Sequence, residues 1–440
     1  MSSVPASAPL PVAILGAGLT GMSAAIELAR RAVPHRIFEK LAAPGGHVVT
    51  TEDSGFRFDR TGHLLHLKSE ALRAEVLDWI GPDHLQIQRR SVIWSNGVYT
   101  RYPFQANTYG LPPEVAYECL QGFIAAHFAA PRPEPRNFEE FCLSHFGAGI
   151  SRHFMIPYNS RLWGVHPREI TSAWCQRFVP LPRLEDVIAG AVGLNDRELG
   201  YNSHFIYPRL GIGELSQGMA RRVPKLELER RPIAIELGAR RLIFADEQVD
   251  FDVLLSSIPL PQLLGLIDEL PARVREAAGK LRCSHLDYLD VALRREVKKD
   301  FHWAYVPEAK YPFYRVGCYS QFSPALAPPG KSSLYVELAD RSAPDLDLLL
   351  PRVAAGLIEM GVIDSPNDIE FARARRIDFA YVIFDHQYFA ALDVIRPFLD
   401  EARIVSSGRY GAWNYSAMED AIAFGKAAAE RSLTFRTNSA

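Results

Sequence analysis

Four apolar residues, Val12–Leu15, break into the turn Gly16-Ala17-Gly18-Leu19-Thr20-Gly21, after which apolar residues resume at helical spacing through MSAAIELARR. A second apolar stretch, His35–Phe38, ends on Glu39. The predicted order is strand, tight glycine turn, helix, strand and acid. Residues 72–182 read as helical over much of their length, with a Pro-rich loop at 129–136. Residues 251–259 form an apolar strand that leads into a proline turn. Residues 283–379 alternate apolar and polar positions, as in 333–338, which predicts a mixed sheet. Met418 opens a helix expected to run through Gly425 to about residue 430. Together these elements predict an α/β protein. A Rossmann-like domain of the two-dinucleotide-binding type is assembled from residues 1–75, 202–267 and 400–440. Residues 76–201 form a mostly helical lid or substrate domain, and residues 283–399 a mixed-sheet substrate domain. Ligand sites favour such domain boundaries.

Composition narrows the class. The chain has 440 residues, 48% hydrophobic and 23% charged, with a formal net charge of -2. That is globular composition, and the length calls for two or three domains. A charge near zero gives no general attraction to nucleic acid or anionic lipid. The five cysteines, Cys119, Cys142, Cys175, Cys283 and Cys318, have no metal-ligand spacing and suit a reducing compartment. The leading residues MSSVPASAPLP carry no signal-peptide pattern, and no apolar run is long enough for a membrane span, so the expected location is cytoplasmic.

The glycine turn carries the first chemistry. Gly16 permits the tight turn, Gly18 lets a pyrophosphate approach the backbone, and Gly21 lets the helix pack close on the strand. The helix that starts at Leu19 and Thr20 offers free N–H groups to phosphate. Glu39 is placed to accept hydrogen bonds from ribose hydroxyls and would repel the 2′-phosphate of NADP. A lone GxGxxG says little, but this one has the correct flanks. Beyond Glu39 and Lys40, the pair Gly45-Gly46 and then His47 suit a backbone passing close to phosphates and a ribityl chain, which points to non-covalent FAD rather than NAD. His63 and His66 have no third ligand at metal-site spacing.

Further motifs follow in order along the chain. Gly62-His63 resembles the Gly-Gly-His loop that faces the flavin in eukaryotic-type UDP-galactopyranose mutases. Tyr102-Pro103-Phe104-Gln105-Ala106-Asn107 resembles their YPFQNN, and Tyr158-Asn159-Ser160-Arg161-Leu162-Trp163 their YN.K.W. The segments from Trp174 to Pro180, with Arg177, and from Asn202 to Gly211 resemble W..ERV and N.tFRFP..GG. Pro312-Phe313-Tyr314-Arg315 with Phe322-Ser323-Pro324 resembles PFYR…YSP, and Gly408-Arg409-Tyr410-Gly411-Ala412-Trp413 resembles GRFGSW. The chain thus resembles the UDP-galactopyranose mutase branch of the FAD-dependent amine oxidase and protoporphyrinogen oxidase superfamily.

The resemblance implies a flavoenzyme that acts on a nucleotide-diphosphate sugar, with the flavin working in its reduced form. Ring isomerisation without net redox change is the implied reaction. It further implies that His63, Arg177 and Arg315 serve catalysis, and that Tyr102, Phe104, Gln105, Asn107, Tyr158, Asn159, Trp163, Asn202, Tyr381 and Asn414 line the substrate site. Gly408, Arg409, Tyr415 and Met418 would close over the cofactor. Each has a plainer role open to it: a salt bridge for the arginines, core packing for the aromatics, turn formation for the asparagines, and a satisfied core position for His63. The sequence departs from the pattern in three places. Asn414 stands where the mutases carry a diphosphate-binding arginine, Gly211-Ile212-Gly213 replaces GGTGG, and residues 379–385 lack the AYP…P pattern. The runner-up reading is a redox flavoenzyme of the protoporphyrinogen or amine oxidase type. A non-catalytic FAD-binding protein is the third.

Overall fold

The computed structural model describes residues 10–130, 133–194, 203–341 and 345–437. The chain enters a five-stranded sheet at Val12–Leu15, His35–Phe38, Leu226–Glu227, Val253–Ser256 and Ile404–Ser406. Val12–Leu15 is central. Val253–Ser256 and then Ile404–Ser406 lie on one side of it, His35–Phe38 and then Leu226–Glu227 on the other, all parallel. A parallel sheet covered on both faces needs apolar residues at every position. Val12–Leu15 and Val253–Ser256 are buried throughout. Val12, Ile14, Val253 and Leu255 share a core with Leu19, Met22, Ala25 and Ile422 of the helices Leu19–Arg30 and Met418–Thr437. The alternate residues Ala13, Leu15, Leu254 and Ile404 pack in the other core with Ile235, Leu242 and Phe251.

The two helices meet backbone to backbone. A Cβ on Gly425 would lie 2.3 Å from the Thr20 carbonyl oxygen. Two hydroxyls tie the crossing: Thr20 Oγ1 donates to Ala421 O at 2.9 Å, and Ser23 Oγ donates to Ile422 O at 2.7 Å. The C-terminal helix continues to Thr437, past the end expected near residue 430, because Leu433 and Phe435 still pack on this core.

The second large sheet has seven strands, ordered Ile369–Val382, Cys283–Leu293, Ser332–Leu338, Phe313–Cys318, Trp303–Tyr305, Ser91–Ser95 and Val98–Arg101. It is antiparallel except where Trp303–Tyr305 runs parallel to Ser91–Ser95. It is therefore mixed, and its parallel pairing is made with Ser91–Ser95, outside the stretch 283–379. Residues 84–101 depart from the helical reading of 72–182. His84–Gln88 pairs with His204–Pro208, and Ser91–Ser95 with Val98–Arg101 form a hairpin. The cause is local: Asn96 and Gly97 both adopt positive φ, 54° and 75°, the conformation of a two-residue hairpin turn. Helices fill much of the remainder, at Glu70–Ile80, Pro113–His127, Phe138–Ile150, Ile156–Trp163 and Leu184–Ala191. Among the described residues no helix is long and apolar enough to cross a membrane.

The helix crossing is testable. Gly425→Leu inserts a side chain where backbone already stands, and should cost about 3 kcal/mol or more. Chemical denaturation should show a lowered midpoint; an unchanged midpoint would mean that the helices are not in backbone contact.

Candidate functional site

The glycine turn is tight at one end and open in the middle. Gly16 has φ 95°, and a Cβ on Gly21 would lie 1.9 Å from the Gly16 carbonyl oxygen. Gly18, the residue that starts the helix Leu19–Arg30, is extended, and a Cβ there would meet nothing within 4 Å. The second glycine pair lies against this opening. Gly45 N–H donates to Ala17 O at 2.8 Å, and a Cβ on Gly46 would sit 3.4 Å from Gly18 Cα. Glu39 is buried, and its carboxylate accepts from Ala17 N–H at 2.8 Å and Leu41 N–H at 3.0 Å. Lys40 is exposed. A Cβ on Gly408 would lie 2.6 Å from Thr20 Oγ1, so the C-terminal segment beside Met418 closes on the same turn. The residues fit a dinucleotide: a helix N-terminus for pyrophosphate, space over Gly18 for its approach, and an acid for ribose.

The loop after Phe56–Asp59 brings His63 to the rim. Tyr319 OH donates to Asp59 O at 2.6 Å and accepts from Thr61 N–H at 3.0 Å, closing the turn. Gly62 passes so close to Tyr335 that a Cβ would lie 2.5 Å from its hydroxyl. His47 and His63 both have an Nδ1 atom shielded from solvent and without a partner. Burial, then the positive field of Arg409, pushes His63 down to about 4. Burial, then His63, Arg60 and Arg409, pushes His47 down to about 3. Both rings are neutral at pH 7. His66 is held by His204 O at 3.0 Å, a structural contact.

Two arginines enter the adjoining aromatic region. Arg409 Nη1 donates to Ser416 O at 2.6 Å, Nη2 donates to Ala380 O at 3.2 Å, and its guanidinium lies 4.6 Å from the centroid of the Tyr415 ring. Arg315 and Glu337 are register partners on neighbouring strands and form an ion pair at 2.5 Å. Arg315 Nη2 also reaches Tyr381 OH at 3.4 Å. Burial is the largest influence and opposes the Arg315 charge, but Glu337 together with Tyr381, Tyr158 and Tyr335 outweighs it and holds the guanidinium protonated. Arg315 Nε, Glu337 Oε2, Tyr314 OH, Trp163 Nε1 and Asn414 Oδ1 are buried and lack partners. Tyr381 and Tyr415 pack on Trp163, at 5.5 Å and 5.8 Å between ring centroids. Tyr158 stands edge-on to Tyr305 and Tyr314, and Tyr102 lies against Tyr305.

The remaining sequence candidates turn elsewhere. Phe104 is fully buried and stacks on Phe154 at 4.9 Å. Gln105 donates to Pro180 O, Asn107 to Pro103 O, and Asn159 to Met155 O, the residue that precedes its helix. These four serve the packing behind the aromatic wall. Arg177 belongs to the short helix Cys175–Phe178, but its side chain, like the whole of Asn202, lies outside the described residues. The sequence reading missed Glu337. Its signal was a lone acid within an otherwise apolar stretch of the strand Ser332–Leu338, buried at every position.

The model of the flavin-containing amine oxidoreductase family matches residues 19–433. A solved structure of a reduced UDP-galactopyranose mutase superposes with a TM-score of 0.91 at 27% identity, covering 97% of this chain and 96% of that one. A protein from Exiguobacterium sp. 255-15 described as a protoporphyrinogen oxidase gives a TM-score of 0.76 at 17% identity, covering 98% and 100%. A putrescine oxidase bound to putrescine gives 0.67 at 14% identity, covering 97% and 99%. The last two matches bear on fold alone.

Two outcomes follow from the charges. His47 and His63 titrate below the ordinary imidazole value of 6.5, so the unfolded chain takes up protons first as the pH falls. Their contribution to stability is whole above about pH 6.5 and declines towards pH 4, whereas Asp59, pushed up by burial to about 7, and Asp290, pushed up to about 6, act in the opposite sense. His63→Asn should flatten the decline in urea unfolding across that range; a slope unchanged by the substitution would contradict a neutral His63 with a shielded Nδ1. Glu337→Gln leaves Arg315 without its counter-ion and should cost about 3 kcal/mol. A loss under about 0.5 kcal/mol would mean that solvent screens the pair.

Proposed function

The chain belongs to the flavin-containing amine oxidoreductase family, and on that premise we propose that it binds FAD non-covalently and acts on a nucleotide-diphosphate sugar, by ring isomerisation like that of UDP-galactopyranose mutase or a related flavin-mediated sugar modification. It is a flavoenzyme. One observation carries the substrate reading: Arg315 and Arg409 approach one aromatic-walled region in which several buried donors have no protein acceptor. Arginine remains charged and presents a fork of donors suited to diphosphate oxygens.

The cofactor domain of this reading comprises residues 1–75, 202–267 and 400–440, with the lid at 76–201, whose strands Ser91–Ser95 and Val98–Arg101 join the substrate sheet of 283–399. Gly16, Gly18, Leu19, Thr20 and Gly21 would hold the pyrophosphate and Glu39 a ribose. Gly45, Gly46 and His47 would follow the ribityl chain, and Gly62 with His63 would face the ring. Gly408, Arg409, Tyr415 and Met418 would close the other side. When bound and reduced, the flavin supplies a nucleophilic nitrogen for attack on the anomeric carbon. The protein's part is to orient the sugar and stabilise the departing diphosphate. Arg409, which has no carboxylate partner among the described residues, supplies net charge. Arg315, already neutralised by Glu337, supplies directed hydrogen bonds through Nε. Tyr158, Trp163 and Tyr381 exclude water and strengthen those contacts. Arg177 and Asn202 are retained as substrate contacts from the sequence resemblance. Unpaired cysteines suit a cytoplasmic setting.

Asn414 favours the second reading, an oxidase of the protoporphyrinogen or amine type. Its amide is buried with Oδ1 unpartnered and brings no cation. The two readings separate under anaerobic conditions. Dithionite-reduced protein should convert UDP-galactopyranose to the furanose, resolved by ion-exchange chromatography, while oxidised protein should not. Oxygen consumption with an amine or porphyrinogen, and no ring conversion, would replace the first reading by the second. Arg315→Ala should weaken nucleotide-sugar binding roughly tenfold or more with flavin content intact; unchanged binding by titration would remove Arg315 from the site.

A further inference from the structure

Arg60 has no part in the reading above, and its surroundings give it one. It follows the strand Phe56–Asp59, is half-buried, and forms no ion pair with a carboxylate among the described residues. Its Nη1 donates to Gly46 O at 3.2 Å. Gly46 is the glycine that lies against Gly18, at the open middle of the first turn. Gly18 and Gly45 are joined by a β-bridge, so the guanidinium, the Gly45-Gly46 turn and the helix N-terminus form one continuous rim. A guanidinium has five N–H donors, and the Gly46 carbonyl takes only one of them. A half-buried cation held by a neutral carbonyl lacks the charge compensation that such a group ordinarily finds. The neighbouring imidazole cannot share its task, because burial and nearby cations keep His47 neutral. Glu39, the acid at this turn, already accepts two backbone N–H groups.

We propose that Arg60 is a ligand of the cofactor's diphosphate, adding a side-chain cation to the backbone N–H groups of the Gly16–Gly21 turn. The proposal rests on the FAD reading above. Gly46 O fixes one edge of the guanidinium, which leaves its other donors for the phosphate oxygens. The role is positioning and charge neutralisation, and no bond is made or broken.

The full chain is purified with its flavin, and FAD release on dilution, followed by flavin fluorescence, gives Kd for the wild type and for Arg60→Ala, Arg60→Gln and Arg60→Lys. Arg60→Ala should raise Kd about tenfold or more, and the gap from wild type should narrow at high salt. Arg60→Lys keeps the charge but loses the fork of donors, so its Kd should lie between those of wild type and Arg60→Ala. Arg60→Gln can still donate to Gly46 O but carries no charge, so it should resemble Arg60→Ala. Thermal melting and the flavin midpoint potential are measured on each. Wild-type affinity in Arg60→Ala would overturn the proposal, as would rescue by Arg60→Gln, which would reduce the role to the Gly46 hydrogen bond. An unchanged Kd with a shifted potential would also overturn it, by putting the guanidinium on the ring. A wild type that takes up FMN but no FAD would remove the FAD reading itself, a result distinct from all of these.

Discussion

The fold depends on backbone meeting backbone around one helix. The first turn of Leu19–Arg30 is pressed onto the Gly16 carbonyl at Gly21, and its flank is pressed onto the C-terminal helix at Gly425. Neither contact admits a Cβ, and two hydroxyl bonds from Thr20 and Ser23 hold the second in register. With the helix fixed on both sides, its N-terminus opens at Gly18, the one glycine of the turn with free space above it. The partial positive charge of the helix end is therefore directed at a defined point. Gly45-Gly46, Glu39 and Gly408 gather around that point from distant parts of the chain.

Charge is distributed unevenly about this centre. The interior cations are arginines, while the two histidines between them are held neutral by burial and by the arginines' own field. Glu337 cancels Arg315, whereas Arg409, half-buried with its guanidinium over Tyr415, keeps its charge without a carboxylate partner among the described residues. Aromatic walls lower the local dielectric, so an anionic group entering here would meet stronger attraction than at the surface. This asymmetry is the electrostatic basis of the diphosphate reading. Asn414, neutral and incompletely bonded, marks where specificity is expected to differ from the mutase pattern.

Much of this was legible in the chain itself. The βαβ unit reads directly, because each glycine, the apolar strands and Glu39 are local signals. The strands within 283–379 were legible as strands, but the pairing that makes their sheet mixed is with Ser91–Ser95, inside the stretch read as helical. Other features were out of reach of spacing alone. The pairing of Arg315 with Glu337 depends on register between strands that only the fold sets. Phe104, Gln105 and Asn107 sit in a recognisable motif, yet their groups are spent on packing and on carbonyls behind the wall. The hairpin at 91–101 lies inside a stretch with mostly helical patterning, and its local mark is Asn96-Gly97, whose positive φ makes the two-residue turn.

The central claim is that the turn is filled at Gly21 and open at Gly18 for a flavin nucleotide. The direct measurement is bound flavin per chain, by absorbance, in purified Gly18→Val, together with its melting temperature. A folded protein that melts like the wild type without flavin, yet is colourless, is the expected result, since the new side chain occupies only the cofactor's space. A yellow, fully loaded Gly18→Val would contradict it and would move the nucleotide away from this turn.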